Sequence, residues 1–398
     1  MSLRILIVHN RYRTPGGEDT VVSTEAALLR ACGHEVGEFF DYNGPSFGMA
    51  DLADPIWSLR TAGRLRRVLE EFRPDIVHCH NLYYRISPSA YWLCYRLGIP
   101  VVQTLHNFRF ACLNARLSRD GMPCELCLSS PGSRFHGVLR GCFQKSRLKS
   151  TVLAISNEVH EALGSFSRPV ARFIALSRFA RSKHILAGIP EGKLIVKSNC
   201  VYPDPGVKTK AGTFCFFAGR LDVDKGTRVL LQAASLIPHV PIVIAGQGPL
   251  ESEVRQAATA LKNVRYLGPV PRNRILDLMK SARFLLFPSL AYENFPMTIA
   301  EAFSVGLPVV ASRLGAAGEL VQDSVNGIHF EPGSATDLAR RVGAVWEPNG
   351  TIPRMGAAAR ACYEENYSGE STYRALCSIY QEAIESCRPS LEGHERPQ

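Results

Sequence analysis

The sequence predicts two α/β domains, each a doubly wound parallel sheet, joined by a short linker. Three observations lead to this prediction. The chain of 398 residues is too long for one ordinary core. Short apolar runs alternate with amphipathic stretches from end to end, which is typical of βαβ units. A segment rich in Pro, Gly and Lys at 202–212 interrupts this pattern, which then restarts.

Each predicted strand is a short run of apolar and β-branched residues bounded by polar or turn residues. In the first half these runs are Leu3–Val8, Glu35–Tyr42, Asp75–His80, Pro100–His106, Thr151–Ser156, Ala171–Ser177 and Leu194–Ser198. In the second half they are Thr213–Ala218, Pro241–Ala245, Val264–Leu267, Arg283–Phe287 and Pro308–Ala311. Helices are predicted between them, with the first at Glu18–Cys32 and the last at Gly369–Cys387.

The same pattern divides the chain. Residues 1–203 form the first domain, 204–212 the linker, 213–368 the second domain, and 369–398 a C-terminal helical segment. Within the first domain, residues 108–145 form a Cys-containing insert without clear periodicity. Sheets of this class bind ligands beyond the carboxyl ends of their strands. We therefore expect the functional site in the cleft between the domains.

Hydropathy and charge restrict the function classes. No run approaches the roughly 18 apolar residues that cross a bilayer, and Ile5–Val8 is too short for a signal segment, so we expect a cytoplasmic protein. The net charge of +10 lies entirely in the first 199 residues, with +8 between 134 and 183. Such a surface suits an anionic membrane, a lipid phosphate or nucleic acid, or has no partner. Because no nucleic-acid motif is present, we expect the inner face of a membrane rather than nucleic acid.

The first donor-site signal lies between 287 and 310. A strand is followed by a loop with Glu293 and then by a helix with Pro296 in its first turn. The free amides and positive dipole of a helix start suit a pyrophosphate. Glu301, about two turns into the helix, can accept hydrogen bonds from a ribose diol. The donor-binding residues predicted here are Asn294, Phe295, Pro296, Met297, Thr298 and Glu301.

Glycine turns after two earlier strands form the second donor-site signal. Gly219 lets the chain turn tightly before Arg220 and Lys225, whose positive charges suit a diphosphate. Gly246 and Gly248 follow the next strand at the same sheet edge. Asp222 and Asp224 match a metal-binding DxD motif. They lie between cations, so we expect no metal to be required for catalysis.

These elements resemble the retaining glycosyltransferases of family 4. The resemblance rests on Gly219-Arg220-Leu221, Lys225-Gly226, Gly246 with Gly248, Glu293 with Glu301, Gly315-Ala316-Ala317-Gly318-Glu319, and Asn326-Gly327. It covers nearly the whole chain and implies the GT-B fold, which has two Rossmann-like domains with a cleft between them. The sequence departs from the family at 315–318, where adjacent glycines are common.

The resemblance also implies roles. Arg220 and Lys225 would bind the diphosphate, Glu301 the ribose, and Glu293 the donor sugar. The last helix would cross back to the first domain. Without the family, Glu293 and Glu301 are equally well interpreted as two surface carboxylates around an ordinary αβ unit.

On the acceptor side, Gly16 and Gly17 follow the first strand and permit close approach of a ligand. The resemblance places such a turn at the cleft floor, near the donor phosphate and the acceptor, which makes Gly16 and Gly17 predicted donor-binding residues. The alternative is a plain βα turn. His80 and His106 follow two other strands as expected cleft-edge groups, and His78 is assigned to packing. Because the family often has a histidine there, His106 is the candidate to contact donor sugar or acceptor, with a structural histidine as the alternative.

Four cysteines are grouped in the insert: Cys112, Cys124, Cys127 and Cys142. A CxxC pair with two flanking cysteines is typical of a structural zinc site, with His136 as an alternative ligand. Reduced, packed thiols are the competing interpretation.

The sequence therefore predicts a retaining hexosyltransferase that moves a sugar from a nucleoside diphosphate sugar to a glycan or lipid-linked acceptor. We expect a role in bacterial cell-surface polysaccharide, lipopolysaccharide or glycolipid assembly. The alternatives are an epimerase or phosphorylase on the same fold, or a non-catalytic nucleotide-sugar-binding subunit.

Overall fold

The computed structural model of the chain describes residues 2–12, 16–43, 53–128, 133–208, 212–346 and 351–387. The predictions for residues 129–132 of the insert, for 209–211 of the linker and for the tail beyond Cys387 lie outside these residues.

The first domain contains a sheet of six parallel strands. Its strands are β1 Arg4–Arg11, β2 Glu35–Tyr42, β3 Ile76–Cys79, β4 Val101–Leu105, β7 Arg172–Ala175 and β8 Leu194–Val196. They lie in the order β2-β1-β3-β4-β7-β8. The short strands β5 Ser118–Arg119 and β6 Met122–Pro123 form an antiparallel pair inside the insert. The helices are α1 Gly17–Ala31, α2 Leu59–Phe72, α3 Ser89–Arg96, α4 Phe135–Leu139, α5 Arg147–Ala162 and α6 Arg178–Leu186.

The second domain repeats this architecture. Its strands are β9 Cys215–Ala218, β10 Ile242–Ala245, β11 Val264–Tyr266, β12 Phe284–Phe287, β13 Val309–Ser312 and β14 Gly327–Phe330. They are parallel, in the order β11-β10-β9-β12-β13-β14. The helices are α7 Thr227–Leu236, α8 Glu251–Ala260, α9 Arg272–Ser281, α10 Met297–Ser304, α11 Gly315–Leu320, α12 Ala335–Trp346, α13 Thr351–Asn366 and α14 Gly369–Cys387.

Both faces of each sheet are buried, as a doubly wound sheet requires. In β1, Ile5 and Ile7 pack in the cluster that contains Val22 of α1. Leu6 and Val8 point to the opposite face and pack in a separate cluster with Leu65 of α2. Strands buried on both faces are continuous apolar runs, which is why the sequence located most of them. The predicted fold class, two doubly wound Rossmann-like α/β domains, is confirmed.

Two element predictions were wrong. Thr151–Ser156 is not a strand but the middle of α5. Its β-branched residues resemble a strand, but the Ser146 side chain caps the helix by accepting from the amide of Lys149, and Leu153 and Asn157 are buried at helical spacing. The second error is an omission, since β14 was not predicted, nor were the two-residue strands β5 and β6 of the insert. The sequence of β14, Gly-Ile-His-Phe, is not a continuous apolar run.

The C-terminal helix α14 packs on the first domain. The hydroxyl of Tyr373 lies 2.9 Å from Nε2 of His34, and the hydroxyl of Tyr380 lies 2.7 Å from Nδ1 of His78. Just before α14, the carbonyl of Tyr367 accepts from the amide of Val201, which begins the crossing to the second domain. The two passages of the chain between the domains therefore run side by side. Within the described residues, no helix is long and apolar enough to span a bilayer.

Candidate active site between the two domains

A cavity of about 1050 Å³ lies between the first turn of α1 and the strand ends of the second sheet. Several predicted residues line it together: Gly16, Gly17, Gly219, Arg220, Gly246, Gly248, Thr298 and Glu301. They come from the turn before α1, the loops after β9 and β10, and the start of α10. The fold thus brings both glycine signals and the helix signal to one place.

Glycine is required where the loops after β9 and β10 meet. Gly246 has φ +147°, and a Cβ there would lie 1.8 Å from the carbonyl oxygen of Gly219. Gly226 has φ +70°, and a Cβ there would lie 1.8 Å from the carbonyl oxygen of Pro288. Any side chain at either position would collide with backbone, so these glycines let the loop after β9 pack closely against the chain that follows β10 and β12.

The loop after β9 holds its charged side chains by internal contacts. Asp222 accepts from the amide of Lys225 at 2.9 Å and lies 3.2 Å from Nε of Arg220. The ammonium of Lys225 contacts the carboxylate of Glu293, which also accepts from the hydroxyl of Ser289 at 3.2 Å. Lys225 and Glu293 were predicted to bind the diphosphate and the sugar of one donor molecule. Their side chains are in contact, although neither lines the cavity itself.

The predicted donor residues at α10 divide into two groups. Thr298 and Glu301 face the cavity. The amide of Ile299 donates to the carbonyl of Pro296 at 2.9 Å, and a helix start leaves the amides before it, of Met297 and Thr298, without a partner in the helix. Asn294 and Phe295 are buried, and the Phe295 ring packs 5.4 Å from that of Tyr367. Pro296 is the residue before the helix rather than its first residue. Asn294, Phe295 and Pro296 therefore shape the loop, and Met297 is partly buried at the helix start.

Arg272 is a cavity residue that the sequence reading missed. Its Nε lies 2.9 Å from Oε1 of Glu301, and both line the cavity with the apolar side chains of Val270 and Ile275. Burial raises the pKa of Glu301, while Arg272 opposes this shift. A signal existed, since Arg272 follows β11 at the same sheet edge as the two glycine turns.

A second polar group lies beside the turn before α1. Tyr12 donates to Oε2 of Glu18 at 2.9 Å, and the side-chain amide of Asn107 donates to the Tyr12 hydroxyl at 3.4 Å. Oε1 of Glu18 is buried and has no hydrogen-bond partner within the described residues. Burial raises the pKa of Glu18 to about 7, against the effects of Tyr12 and Arg109. None of these residues was predicted from the sequence to belong to the site.

The three histidines are connected to a carboxylate that the sequence reading also missed. Nδ1 of His80 lies 2.8 Å from Nε2 of His106, and Nε2 of His80 lies 3.4 Å from Oε1 of Glu25. Glu25, His78 and His80 are buried, and His106 is partly exposed. The signal in the sequence was a carboxylate within the apolar stripe of α1, three residues after Val22 and one before Ala26.

Contacts across the cleft link the domains near the cavity. Both carboxylate oxygens of Glu319 accept amides at the start of α6, from Arg178 at 2.9 Å and from Phe179 at 2.7 Å. The hydroxyl of Ser177 donates to the carbonyl of Asn294 at 2.9 Å. In the insert, Arg116 lies 3.2 Å from Asp224.

The four grouped cysteines lie near one another, and all have free thiols. A hydrogen bond from Cys127 lowers the pKa of Cys112 to about 6, and burial raises the pKa of Cys142. Within the described residues, the three-residue group with potential ligand atoms within 4.8 Å of one another is Glu25, His78 and His80, not a set of these thiols. The zinc site at Cys112, Cys124, Cys127 and Cys142 stays a prediction, with His136 still the alternative ligand.

Two family models match the chain in succession. One described as Glycosyltransferase Family 4 covers residues 15–204, and one described as Glycosyl transferases group 1 covers 212–347. An uncharacterized glycosyltransferase of Methanocaldococcus jannaschii is 30% identical over 369 residues, which are 89% of this chain and 88% of that protein.

Two further proteins place these matches in context. O-antigen chain mannosyltransferase C of Escherichia coli is 30% identical over 183 residues, 45% of this chain and 49% of that protein, so the match spans about half of that relative. The structure of the Anabaena protein HepE in complex with UDP-glucose aligns with a TM-score of 0.64 at 20% identity. That alignment covers 96% of this chain and 99% of HepE, and it shows the shared fold.

Proposed function

The chain belongs to the superfamily of group 1 glycosyltransferases, and from this premise we propose that it transfers a sugar from a nucleoside diphosphate sugar to an acceptor hydroxyl with retention of the anomeric configuration. The observation that carries the proposal is the cavity of about 1050 Å³, where the turn before α1 faces Arg220, Arg272 and Glu301. This volume exceeds the several hundred Å³ typical of ligand sites, so it can hold a nucleotide together with a sugar.

The nucleotide would be bound by positive charges, hydrogen bonds and apolar contacts. Arg220, Lys225 and the start of α10 supply positive charge and free amides for the diphosphate. Glu301, oriented by Arg272, would accept from the ribose hydroxyls. The apolar side chains of Val270 and Ile275 would lie against the base. That HepE was solved with UDP-glucose supports a nucleotide sugar as the donor.

Catalysis would consist mainly of charge stabilisation. The bond between the anomeric carbon and the diphosphate oxygen breaks through an oxocarbenium-like state, and the acceptor oxygen bonds to the same face. The acceptor proton moves to the departing phosphate oxygen. Arg220 and Lys225 would stabilise the negative charge that develops there, and Glu293 would orient the sugar. We propose no catalytic metal, since Asp222 and Asp224 already contact Arg220 and Arg116.

The acceptor would enter from the first domain. Tyr12, Glu18, Asn107 and His106 lie on that side and can bond to hydroxyl groups. The O-antigen relative supports a glycan or lipid-linked acceptor in cell-surface polysaccharide, lipopolysaccharide or glycolipid assembly. We propose a cytoplasmic enzyme that acts at the inner face of the membrane.

The surface around α4 supports membrane contact. Four Lys or Arg residues and no Asp or Glu lie between 140 and 149. Three large apolar side chains are exposed beside them: Phe135, Leu139 and Leu148. A basic surface with exposed apolar side chains is typical of proteins that bind anionic bilayers.

The experiment is a thermal-shift panel of UDP-, GDP- and dTDP-sugars, followed by turnover of the stabilising donor with acceptor extracts. NMR of the product would give its anomeric configuration. We expect one nucleotide class to raise the melting temperature of the wild type and of Arg228→Ala, but not of Arg220→Ala. Arg228 is the matched control, because it lies on the same domain in an exposed pair with Glu253.

Several outcomes would contradict the proposal. If no sugar nucleotide stabilised the protein, the donor site would be wrong. Donor epimerisation without acceptor, or a requirement for free phosphate, would indicate an epimerase or a phosphorylase. Binding without any turnover would indicate a non-catalytic subunit.

A further inference from the structure

A chain of buried polar side chains connects α14 to His106 through the first domain. The Tyr380 hydroxyl and Oε1 of Glu25 lie 2.7 Å and 3.1 Å from Nδ1 of His78. His80 lies next to His78, with ring centroids 4.2 Å apart, and contacts both Glu25 and His106. The chain begins deep in the core and ends at His106, which is partly exposed and directly follows the carboxyl end of β4.

The charge on Glu25 is already balanced. Nζ of Lys197 lies 2.8 Å from Oε2 of Glu25, and both side chains are buried. Burial alone would raise the pKa of Glu25, but Lys197 and the two imidazoles hold it well below its usual value. Glu25 is therefore a carboxylate, which can only accept hydrogen bonds.

This balance argues against a metal ion among Glu25, His78 and His80. A divalent cation beside Lys197 would leave an uncompensated positive charge in a buried site. Both ring nitrogens of His78 also have partners, since Nε2 lies 2.8 Å from the hydroxyl of Thr104.

The carboxylate determines where the ring protons lie. Burial lowers the pKa of His80 to about 3 and that of His106 well below its usual value, so both rings are neutral, with one donor and one acceptor nitrogen each. Nε2 of His80 lies 3.4 Å from Oε1 of Glu25 without hydrogen-bond geometry, and neither atom has a hydrogen-bond partner within the described residues. A ring lone pair at Nε2 would face the negative charge of Glu25 in a buried site, so the proton belongs on Nε2. Nδ1 of His80 is then the acceptor, so Nε2 of His106 carries the second proton. Nδ1 of His106 is left as an acceptor.

We propose that Glu25 and His80 are positioning residues that fix the tautomer of His106, so that Nδ1 of His106 accepts a hydrogen bond from a sugar hydroxyl in the cleft. Nδ1 forms no hydrogen bond with a described residue, and the side chain is partly exposed, so this nitrogen is left for a ligand. The role of this bond rests on the proposed transfer reaction, whereas the tautomer does not.

The first test is a double-mutant cycle on turnover. Glu25→Gln alone would leave Lys197 unpaired and could prevent folding, so the variant is Glu25→Gln with Lys197→Met, which removes both charges. We expect this variant to lower kcat/KM by about tenfold, and we expect the same loss for His106→Gln. When the two changes are combined, kcat/KM should again fall by about tenfold rather than a hundredfold. Independent losses that multiply would overturn the proposal, because a merely structural role would act in either background.

The second test needs no substrate. Long-range proton–nitrogen NMR of ¹⁵N-histidine protein, assigned with His106→Gln, should show His106 protonated at Nε2. The proton should shift toward Nδ1, or distribute between the nitrogens, when Glu25 and Lys197 are replaced. An unchanged His106 spectrum in this variant would overturn the proposal. So would one equivalent of bound metal in the wild type that is absent from the variant. If the wild type turned over no donor, the transfer function would fail while this measurement still decided the tautomer.

Discussion

The carboxyl group of Glu18 holds its proton more tightly in the folded protein than in the unfolded chain. Burial raises its pKa from 4.5 to about 7. Its contribution to stability is therefore fully present below about pH 4.5 and is lost as the pH rises through about 7. Between about pH 5 and about pH 8, the free energy of unfolding of the wild type should fall relative to that of Glu18→Gln. Urea titrations at both pH values measure this difference.

Comparison with the variant is essential, because other groups titrate in the same range. Burial lowers the pKa of His80 and His184, and these groups add stability as the pH rises. Equal pH dependence in the wild type and Glu18→Gln would show that Glu18 is not the group responsible.

Lys225 and Glu301 should affect different kinetic constants. Lys225 would meet charge that develops only as the diphosphate leaves, so Lys225→Ala should lower kcat by about a hundredfold or more with little change in donor KM. Glu301 would bind the ribose equally before and during reaction, so Glu301→Gln should raise donor KM by about tenfold. Steady-state kinetics with Arg228→Ala as control check this. A reversed pattern would exchange the two roles.

At the scale of elements, the Cys-containing insert contacts the second domain through the turn between β5 and β6. A Cβ on Gly121, between β5 and β6, would lie 2.5 Å from the side chain of Val223. Lys183 of α6 lies 2.6 Å from Glu125 of the insert. Whatever orders this insert therefore also orders a wall of the cleft.

If zinc orders it, purified protein should contain about one equivalent, measured by elemental analysis, and Cys124→Ser with Cys127→Ser should lose it. The melting temperature should fall by several degrees with the metal. Cys362→Ser, outside the insert, is the control. Metal-free wild-type protein with the same melting temperature would leave packed thiols as the explanation.

Predictability from sequence differed between elements for physical reasons. Strands such as β1 and β12 are buried on both faces, so they are continuous apolar runs that could be recognised in the sequence. Because parallel strands end at the same edge of a sheet, the loops after them could be expected on one side of the domain. Arg220, Gly246 and Glu301 follow such strands and could be placed together. Arg272 follows β11 at the same sheet edge and Glu25 lies within an apolar stripe, but their roles could not be predicted, because they depend on which side chains face them after folding. Local propensity misassigned α5, where a capped helix buries an apolar stripe.

At the scale of the whole molecule, the charge is divided between the halves. The excess of +10 lies in the first 199 residues, and the exposed apolar side chains around α4 lie on the same half. Arg140→Glu with Lys145→Glu should weaken binding to vesicles with anionic lipid by at least about tenfold, at about 1 kcal/mol per basic residue. Flotation assays measure this, and binding should weaken as salt rises.

Arg265→Glu with Arg274→Glu makes the same change in net charge on the second domain. If both pairs weakened binding equally, overall charge rather than this surface would be responsible. If neither did, the membrane proposal would be wrong.

The side-by-side passage of the chain at Val201 and Tyr367 restricts how the halves can move. Two covalent connections bonded to each other at one edge act as a single pivot, so the domains cannot slide apart independently. Any opening of the cleft would be a swing about this edge, and groups farther from the pivot would travel farther. The two hydrogen bonds from the amides of Arg178 and Phe179 to Glu319 join the domains, so a swing that separated α11 from α6 would have to break both.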